Sequence, residues 1–534
     1  MFQLQSHLNH HILLPKISSM AEMQYYIQLF FVLVISTVAI QTLLTRKKNK
    51  KHLTPPSPLA LPIFGHFHLM SKLLPAHQSF HKLSIQYGPI MKLFLGSVPC
   101  IVISSPEIAK EFLKTHETFF SNRLINYAID YLSYGSQDFM FAPYGEYWKF
   151  MKKICMSELL GGRTIDQFRP LRQQETVRFL RLLQKKGEAG EAVDVSGLLL
   201  NLTNRIITRM TMSKTFNEND SNVEDLRNMV HDFSELAGKF SMLEYIWFCK
   251  NLHRYRISKR LKGMQKRMET MMEMAIRDRQ KERKKIKENS EGSHVRDLLD
   301  ILLEIHENNN TEIGIKLNKE NVTSFIVDIF LAGTDTSSTT IEWGLAELIN
   351  NPRVMAKARE EIDSVTGKSR LIQESDLPNL PYLQAILKET LRLHPTVPLV
   401  VRESSENCNV CGFEIPRKTI LFVNLWSMGR DPKLWENPYE FKPERFMSEE
   451  NKFDVRGQNF QLMPFGTGRR GCPGASLALQ AVPTNLAAMI QCFEWKVGGD
   501  GTVNMEEKPS TTLPRAHPLI CVPIPRFHSF PFGE

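Results

Sequence analysis

Apolar and polar positions fall into distinct regimes along this chain. Residues 25–44 are almost continuously apolar, interrupted only by Gln28, Ser36, Thr37, Gln41 and Thr42. A run of that length can cross a bilayer once as a helix. Residues 66–105 alternate apolar and polar side chains, most clearly over Ile90–Leu95 and residues 100–104, which predicts strands of a small β region. From Pro106 onward helical spacing dominates. Residues 322–349 form an apolar run long enough for a buried helix crossing the molecule. Residues 475–489 predict another mostly apolar helix, which Pro483 should kink because it has no N–H to donate. The charged stretch 277–296 predicts a solvated helix and loop whose cations face water. The expected fold class is therefore mainly α with a small β region, preceded by one N-terminal transmembrane helix, and the chain contains no internal repeats.

What flanks the first apolar run gives its orientation. Arg46, Lys47, Lys48, Lys50 and Lys51 follow it directly. By the positive-inside rule this places the chain after residue 45 in the cytosol and residues 1–24 in the lumen. A cleaved signal peptide would carry its charge ahead of the apolar run, so an uncleaved anchor spanning 25–45 is expected. Residues 1–19 are unusual before such an anchor, and Met20 and Met23 are alternative starts. Residues 46–65 combine the basic cluster with Pro55, Pro56, Pro58 and Pro62, a composition that predicts a stiff hinge. The body is then residues 66–534.

The chemistry concentrates near the C-terminus, in the order Phe465, Gly466, Thr467, Gly468, Arg469, Arg470, Gly471, Cys472, Pro473, Gly474. The glycines let the backbone turn sharply and come close to a flat ring. Pro473 suits a helix's first turn, so Cys472 stands where unpaired N–H groups and the positive end of the helix dipole favour a thiolate. An anionic sulfur is the proximal haem ligand that promotes O–O cleavage. Arg470 lies within reach of a haem propionate. A loop holding a buried structural cysteine is the alternative, and it would leave the glycines, arginine and proline as coincidences.

Upstream, Ala332, Gly333, Thr334, Asp335, Thr336 and Ser337 interrupt the apolar run. An acid beside a hydroxyl in mid-helix is costly in a core. Thr336 can bond to a carbonyl one turn earlier, bending the helix and opening a groove. Glu389 and Arg392 share a helix face, as do Trp148 and Lys152.

These motifs, in this order, resemble the cytochromes P-450, and the resemblance covers nearly everything after the N-terminal leader. It implies the cytochrome P-450 fold and haem b bound through Cys472 as the metal ligand. It also implies O2 as co-substrate and electrons from NADPH through the NADPH-cytochrome P-450 reductase. Thr336 and Asp335 become the catalytic pair, Thr336 orienting a water and Asp335 relaying protons. Trp148 and Lys152 become a propionate clamp, with lysine where the family usually has arginine. Arg402 is a further propionate candidate beside Arg470. Ala332, Gly333, Phe465 and Gly474 complete the cofactor-binding set. Glu389, Arg392 and Arg445 would form a buried structural network behind the haem.

Finer features are similar to plant microsomal A-type members. Examples are Pro143-Tyr144-Gly145-Glu146-Tyr147-Trp148 and Phe441-Lys442-Pro443-Glu444-Arg445-Phe446. Within that group the chain is similar to the legume flavonoid and isoflavonoid members, the pterocarpan hydroxylases nearest. The implied function is hydroxylation of a pterocarpan or flavanone by an enzyme held in the endoplasmic reticulum membrane. The substrate is then a small apolar aromatic molecule. The aromatic stretch 121–142, with Tyr127, Tyr131, Tyr134, Phe139 and Phe141, is expected over the distal face. A triterpenoid oxidase of the same family is the near alternative. From other classes, the alternatives are a haem-thiolate isomerase or dehydratase acting on hydroperoxides, and a haem sensor or carrier.

Composition fits this picture. The 534 residues, 42% hydrophobic, suffice for a large core. The net charge of +10 is not gathered into a basic stripe with interleaved aromatics, so no nucleic acid partner is expected; a membrane surface and an acidic redox partner account for it. Cys408 and Cys411 form a lone CxxC pair, too few ligands for zinc.

Overall fold

The computed structural model describes residues 20–48, 53–70, 74–213, 229, 232–236, 242–289, 297–308, 315–448 and 453–527. Residues 1–19, most of the expected luminal leader, lie outside the described residues.

A helix spans Lys319–Asn350 through the centre of the molecule. Asn318 and Asn321 start it with a reciprocal capping box. Phe325, Phe330 and Trp343 are fully buried along it. Against it pack the helices Val195–Met212, Ala475–Cys492 and Pro381–Leu393. Small residues set two of the approaches. A Cβ on Gly333 would lie 2.7 Å from Ile207, and one on Gly344 would lie 3.0 Å from Leu486.

The β structure sits beside this bundle. A four-stranded sheet runs in the order Ile90–Leu95, Val98–Ile103, Ile420–Asn424, Leu399–Glu403. Its middle pair is parallel and the outer pairs antiparallel. A second sheet joins Val193–Asp194, Ile520–Pro525 and Phe493–Val497, and a hairpin pairs Cys408–Val410 with Phe413–Ile415.

Several expectations change in the fold. The N-terminal helix extends over Met20–Lys48, with Tyr25, Phe30, Phe31 and Leu33 exposed. Among the described residues, however, no helix is both long and apolar enough to cross a membrane. From Leu53 onward the proline-rich stretch is hydrogen-bonded to the body. Pro56 accepts from the Lys92 N–H at 2.8 Å, Leu53 accepts from Glu414, and His66 bonds the Pro58 carbonyl at 3.0 Å. In the charged stretch 277–296, Arg279 does not face water. It is 5% exposed, bonded to Asp297 and 3.2 Å from Asp300, because the helix Lys250–Asn289 turns it toward the helix Leu298–Asn308. The helix Ala475–Cys492 continues through Pro483, and the Thr484 and Asn485 side chains bond carbonyls one turn back, at Gln480 and Ala481.

Candidate functional site

Backbone geometry builds the cysteine loop. Gly466 and Gly468 have φ of 68° and 67°, a region that L side chains rarely enter. The loop closes with Cys472 N–H donating to the Phe465 carbonyl at 2.8 Å, and Gly471 N–H to Gly468 at 3.0 Å. Gly457 supports it from outside: a Cβ there would lie 2.3 Å from the Gly466 carbonyl oxygen, and the Thr467 hydroxyl donates to the Gly457 carbonyl. Gly471 and Gly474 lie outside the positive-φ region, so the loop's handedness is set at Gly466 and Gly468.

Cys472 precedes the N-terminus of the helix Ala475–Cys492, whose N-cap is Gly474. Protein crowds the sulfur, yet the residue keeps accessible surface. Burial pushes the thiol's proton affinity up, while the Gly474 and Ala475 N–H groups and Arg123 oppose that shift. The net direction is upward. A coordinated iron would supply the missing positive charge.

The central helix opens at its polar turn. Thr336 donates its hydroxyl to the Ala332 carbonyl at 2.6 Å, the back-bond expected from sequence. Ala332 is exposed and Gly333, Asp335 and Thr336 are half-buried, in a helix otherwise buried on both sides of them. The Asp335 carboxylate accepts from the Thr512 hydroxyl at 2.7 Å, across from the C-terminal loop.

Three guanidinium groups gather at one edge: Arg123, Arg402 and Arg470. Arg402 is 4% exposed, and its Nη2 donates toward the Arg470 carbonyl at 3.4 Å. Arg470 bonds the carbonyls of Ser121 and Ala142 and lies 4.4 Å over the Trp148 ring. Its Nη1 and the Arg123 Nε are buried with no hydrogen-bond partner among the described residues. Burial, reinforced by the neighbouring arginines, lowers the proton affinity of Arg402 far below the usual arginine range and that of Arg470 to about 9. Buried cations with orphaned donors call for an anion with several oxygens, and the two propionates of a haem answer that need. Lys152 sits 5.1 Å over the same Trp148 ring and donates to the Arg469 carbonyl at 2.6 Å. It thus buttresses the cysteine loop's backbone.

Behind the site, Glu389 is fully buried between Arg392, at 2.7 and 2.8 Å, and Arg445, at 3.0 Å. Arg392 also donates to the carbonyls of Gly429, Pro438 and Glu440.

Two features were missed from sequence. Arg123 is the single basic residue in the aromatic stretch 121–142, a signal that was available. The second is a buried carboxyl pair. Asp328 accepts from the Phe139 and Met140 N–H groups at 2.8 Å each, and Asp138 accepts from Phe141 at 3.0 Å. Burial raises the proton affinity of both, and the neighbouring Asp138 raises that of Asp328 further, while the pair ties this stretch to the central helix. The aromatic stripe itself is largely packing. Phe139 stacks on Trp148 and meets Phe325 edge-on, and the Tyr134 hydroxyl donates to Glu269.

Known proteins share this architecture. The cytochrome P-450 family model matches residues 55–522. The 3,9-dihydroxypterocarpan 6A-monooxygenase of Glycine max is 56% identical over 509 residues, covering 94% of this chain and 99% of that one. The β-amyrin 24-hydroxylase of Glycine max is 43% identical over 518 residues, covering 96% and 100%. A zebra fish cytochrome P-450 solved with abiraterone superposes with a TM-score of 0.70 at 24% identity, covering 85% of this chain and 100% of that one.

Proposed function

Because this chain belongs to the cytochrome P-450 family, we propose that its monooxygenase chemistry takes place in the cleft between Cys472 and the opened turn at Thr336, on a pterocarpan or flavanone. The enzyme is a haem-thiolate monooxygenase that uses haem b and NADPH electrons delivered by a reductase. When bound, the haem supplies the iron at which dioxygen is activated.

The chain's own residues then divide the work. Cys472 provides the sulfur ligand and its loop holds that sulfur at a fixed approach. Arg123, Arg402 and Arg470 bind the propionates, with Trp148 as the surface on which Arg470 and Lys152 rest. Ala332, exposed on the opened turn, leaves the helix face low enough for a small diatomic, Gly333 beside it lets Ile207 pack close, and Phe465 and Gly474 flank the sulfur. Thr336 orients a water and Asp335 holds and passes protons. Glu389, Arg392 and Arg445 keep the rear of the site rigid. The N-terminal helix acts as an endoplasmic reticulum anchor with the body in the cytosol, supported by the apolar run 25–44 and the basic residues after it.

The observation that carries the substrate class is the 56% identity, nearly end to end, with a pterocarpan monooxygenase, against 43% with a triterpene hydroxylase. Microsomes containing this chain and a plant reductase should convert pterocarpans or flavanones in preference to β-amyrin. A triterpene-only profile would overturn the substrate class. Rearrangement or dehydration of an organic hydroperoxide as sole substrate, with no NADPH-dependent oxygen insertion into any of these substrates, would overturn the monooxygenase role.

A further inference from the structure

The C-terminal loop around Thr512 is held unusually firmly for a segment without regular structure. Leu513, fully buried, donates its N–H to the Thr396 carbonyl at 2.8 Å and accepts from the Trp343 indole at 2.7 Å. The Thr396 hydroxyl meets the Thr340 hydroxyl at 2.8 Å, and Thr340 bonds the Thr336 carbonyl at 2.8 Å. Two residues earlier the loop reaches the other way, with the Ser510 and Thr511 hydroxyls on the Ser234 carbonyl. Between these anchorages Thr512, 8% exposed, donates to Asp335 at 2.7 Å.

A carboxylate on a helix has free rotation about its last torsion unless something holds it. Here one holder is a hydroxyl on a clamped loop, bonded to the same turn that Thr336 opens. We propose that Thr512 is a positioning residue for proton delivery: it fixes the Asp335 carboxylate beside Thr336 and links its orientation to the C-terminal loop. This rests on the reading of Asp335 and Thr336 as the proton-handling pair. The arrangement also gives the distal segment 232–236 a route to the acid, because Ser234 and Asp335 are tied to adjacent residues of one short loop. Glu342, two turns further along the same helix, is bonded to Ser196 and faces Arg515 at 3.3 Å, so the helix face behind Asp335 is itself fixed.

The test compares Thr512→Val, which keeps the shape and removes the donor, with Thr512→Ser, which keeps the donor, and with Asp335→Asn. Each is assayed in the reductase-coupled system for product and hydrogen peroxide per NADPH and for solvent isotope effect. Turnover driven by added hydrogen peroxide, which brings its own two protons and draws none from solvent, is measured alongside. A hydrogen bond to a charged group corresponds to about a tenfold effect or more. Thr512→Val should therefore lower product per NADPH about tenfold and release the difference as hydrogen peroxide, with a larger solvent isotope effect. Thr512→Ser should restore coupling, and substrate affinity and peroxide-driven turnover should stay near wild type. Coupling retained in Thr512→Val while Asp335→Asn uncouples would overturn the role of Thr512. Coupling retained in Asp335→Asn would overturn the underlying reading instead. Equal losses in the peroxide-driven and NADPH-driven reactions would reduce Thr512 to a cavity-wall residue and also overturn the proposal. If valine packs badly, Thr512→Ala serves the same comparison.

Discussion

Replacing Glu389 with glutamine tests the network behind the site most directly, because it removes one charge and hardly any volume. One carboxylate oxygen accepts from Arg392 Nη2, Lys442 N–H and Arg445 Nε; the other accepts from Arg392 Nε. The best-placed glutamine oxygen keeps the first three donors. Its amide nitrogen then faces Arg392 Nε, donor against donor, and two guanidiniums lose their counter-charge. Arg392 has no exposed side-chain surface to compensate. Breaking a buried pair from one side costs about 3–5 kcal/mol, a large share of the ~5–15 kcal/mol by which folded domains are stable. Glu389→Gln should lower the urea midpoint and lose haem on storage, read as decay of the carbon monoxide band of thiolate-ligated haem. Lys149→Ala, which breaks the exposed pair with Glu146, is the control and should leave both readouts alone. Wild-type stability and haem retention in Glu389→Gln would refute the idea that this network braces the core.

Other predictions follow from the same geometry. Arg123→Gln should weaken haem retention more than Lys152→Gln, since Arg123 has a buried orphan nitrogen and Lys152 already bonds a carbonyl; equal retention would argue against the propionate assignment. Gly468→Ala forces a side chain into φ of 67° and within 2.2 Å of a Glu117 oxygen, so it should reduce haem incorporation; Gly498→Ala, with nothing within 4 Å, should not. Burial alone would raise the Glu507 carboxyl, but His77, Arg430 and Trp426 hold it down at about 2. The stability it adds is therefore present above the ordinary carboxylate value of 4.5 and lost as pH falls toward 2, on the order of 3 kcal/mol at neutral pH. The urea midpoints of wild type and Glu507→Gln should converge as pH drops below about 4.5; a pH-independent gap would refute the linkage.

The helices and strands were legible where the pattern was long or strict. The apolar run 322–349 and the alternation over Ile90–Leu95 match Lys319–Asn350 and the observed strand within a few residues. Legibility failed where burial depends on what packs against a residue. Arg279 reads as one more cation in a charged run, and only the approach of Leu298–Asn308 makes it a core residue. Phe139 and Tyr134 stand in one aromatic stretch, and only the positions of Trp148 and Glu269 decide that the first stacks in the core and the second bonds at the surface.

By itself, then, the sequence determined the local chemistry: a cysteine on a left-handed glycine loop ahead of a helix, and a threonine able to bond its own helix one turn back. Those depend on backbone conformation and on neighbours within a few residues, so they are written locally. The tertiary structure alone decided which distant charges meet. Arg123, Arg402 and Arg470 come from a loop, a strand and the cysteine loop, and Thr512 reaches Asp335 across 177 positions. Burial and electrostatic coupling depend on distance in space, and a linear pattern carries no measure of it.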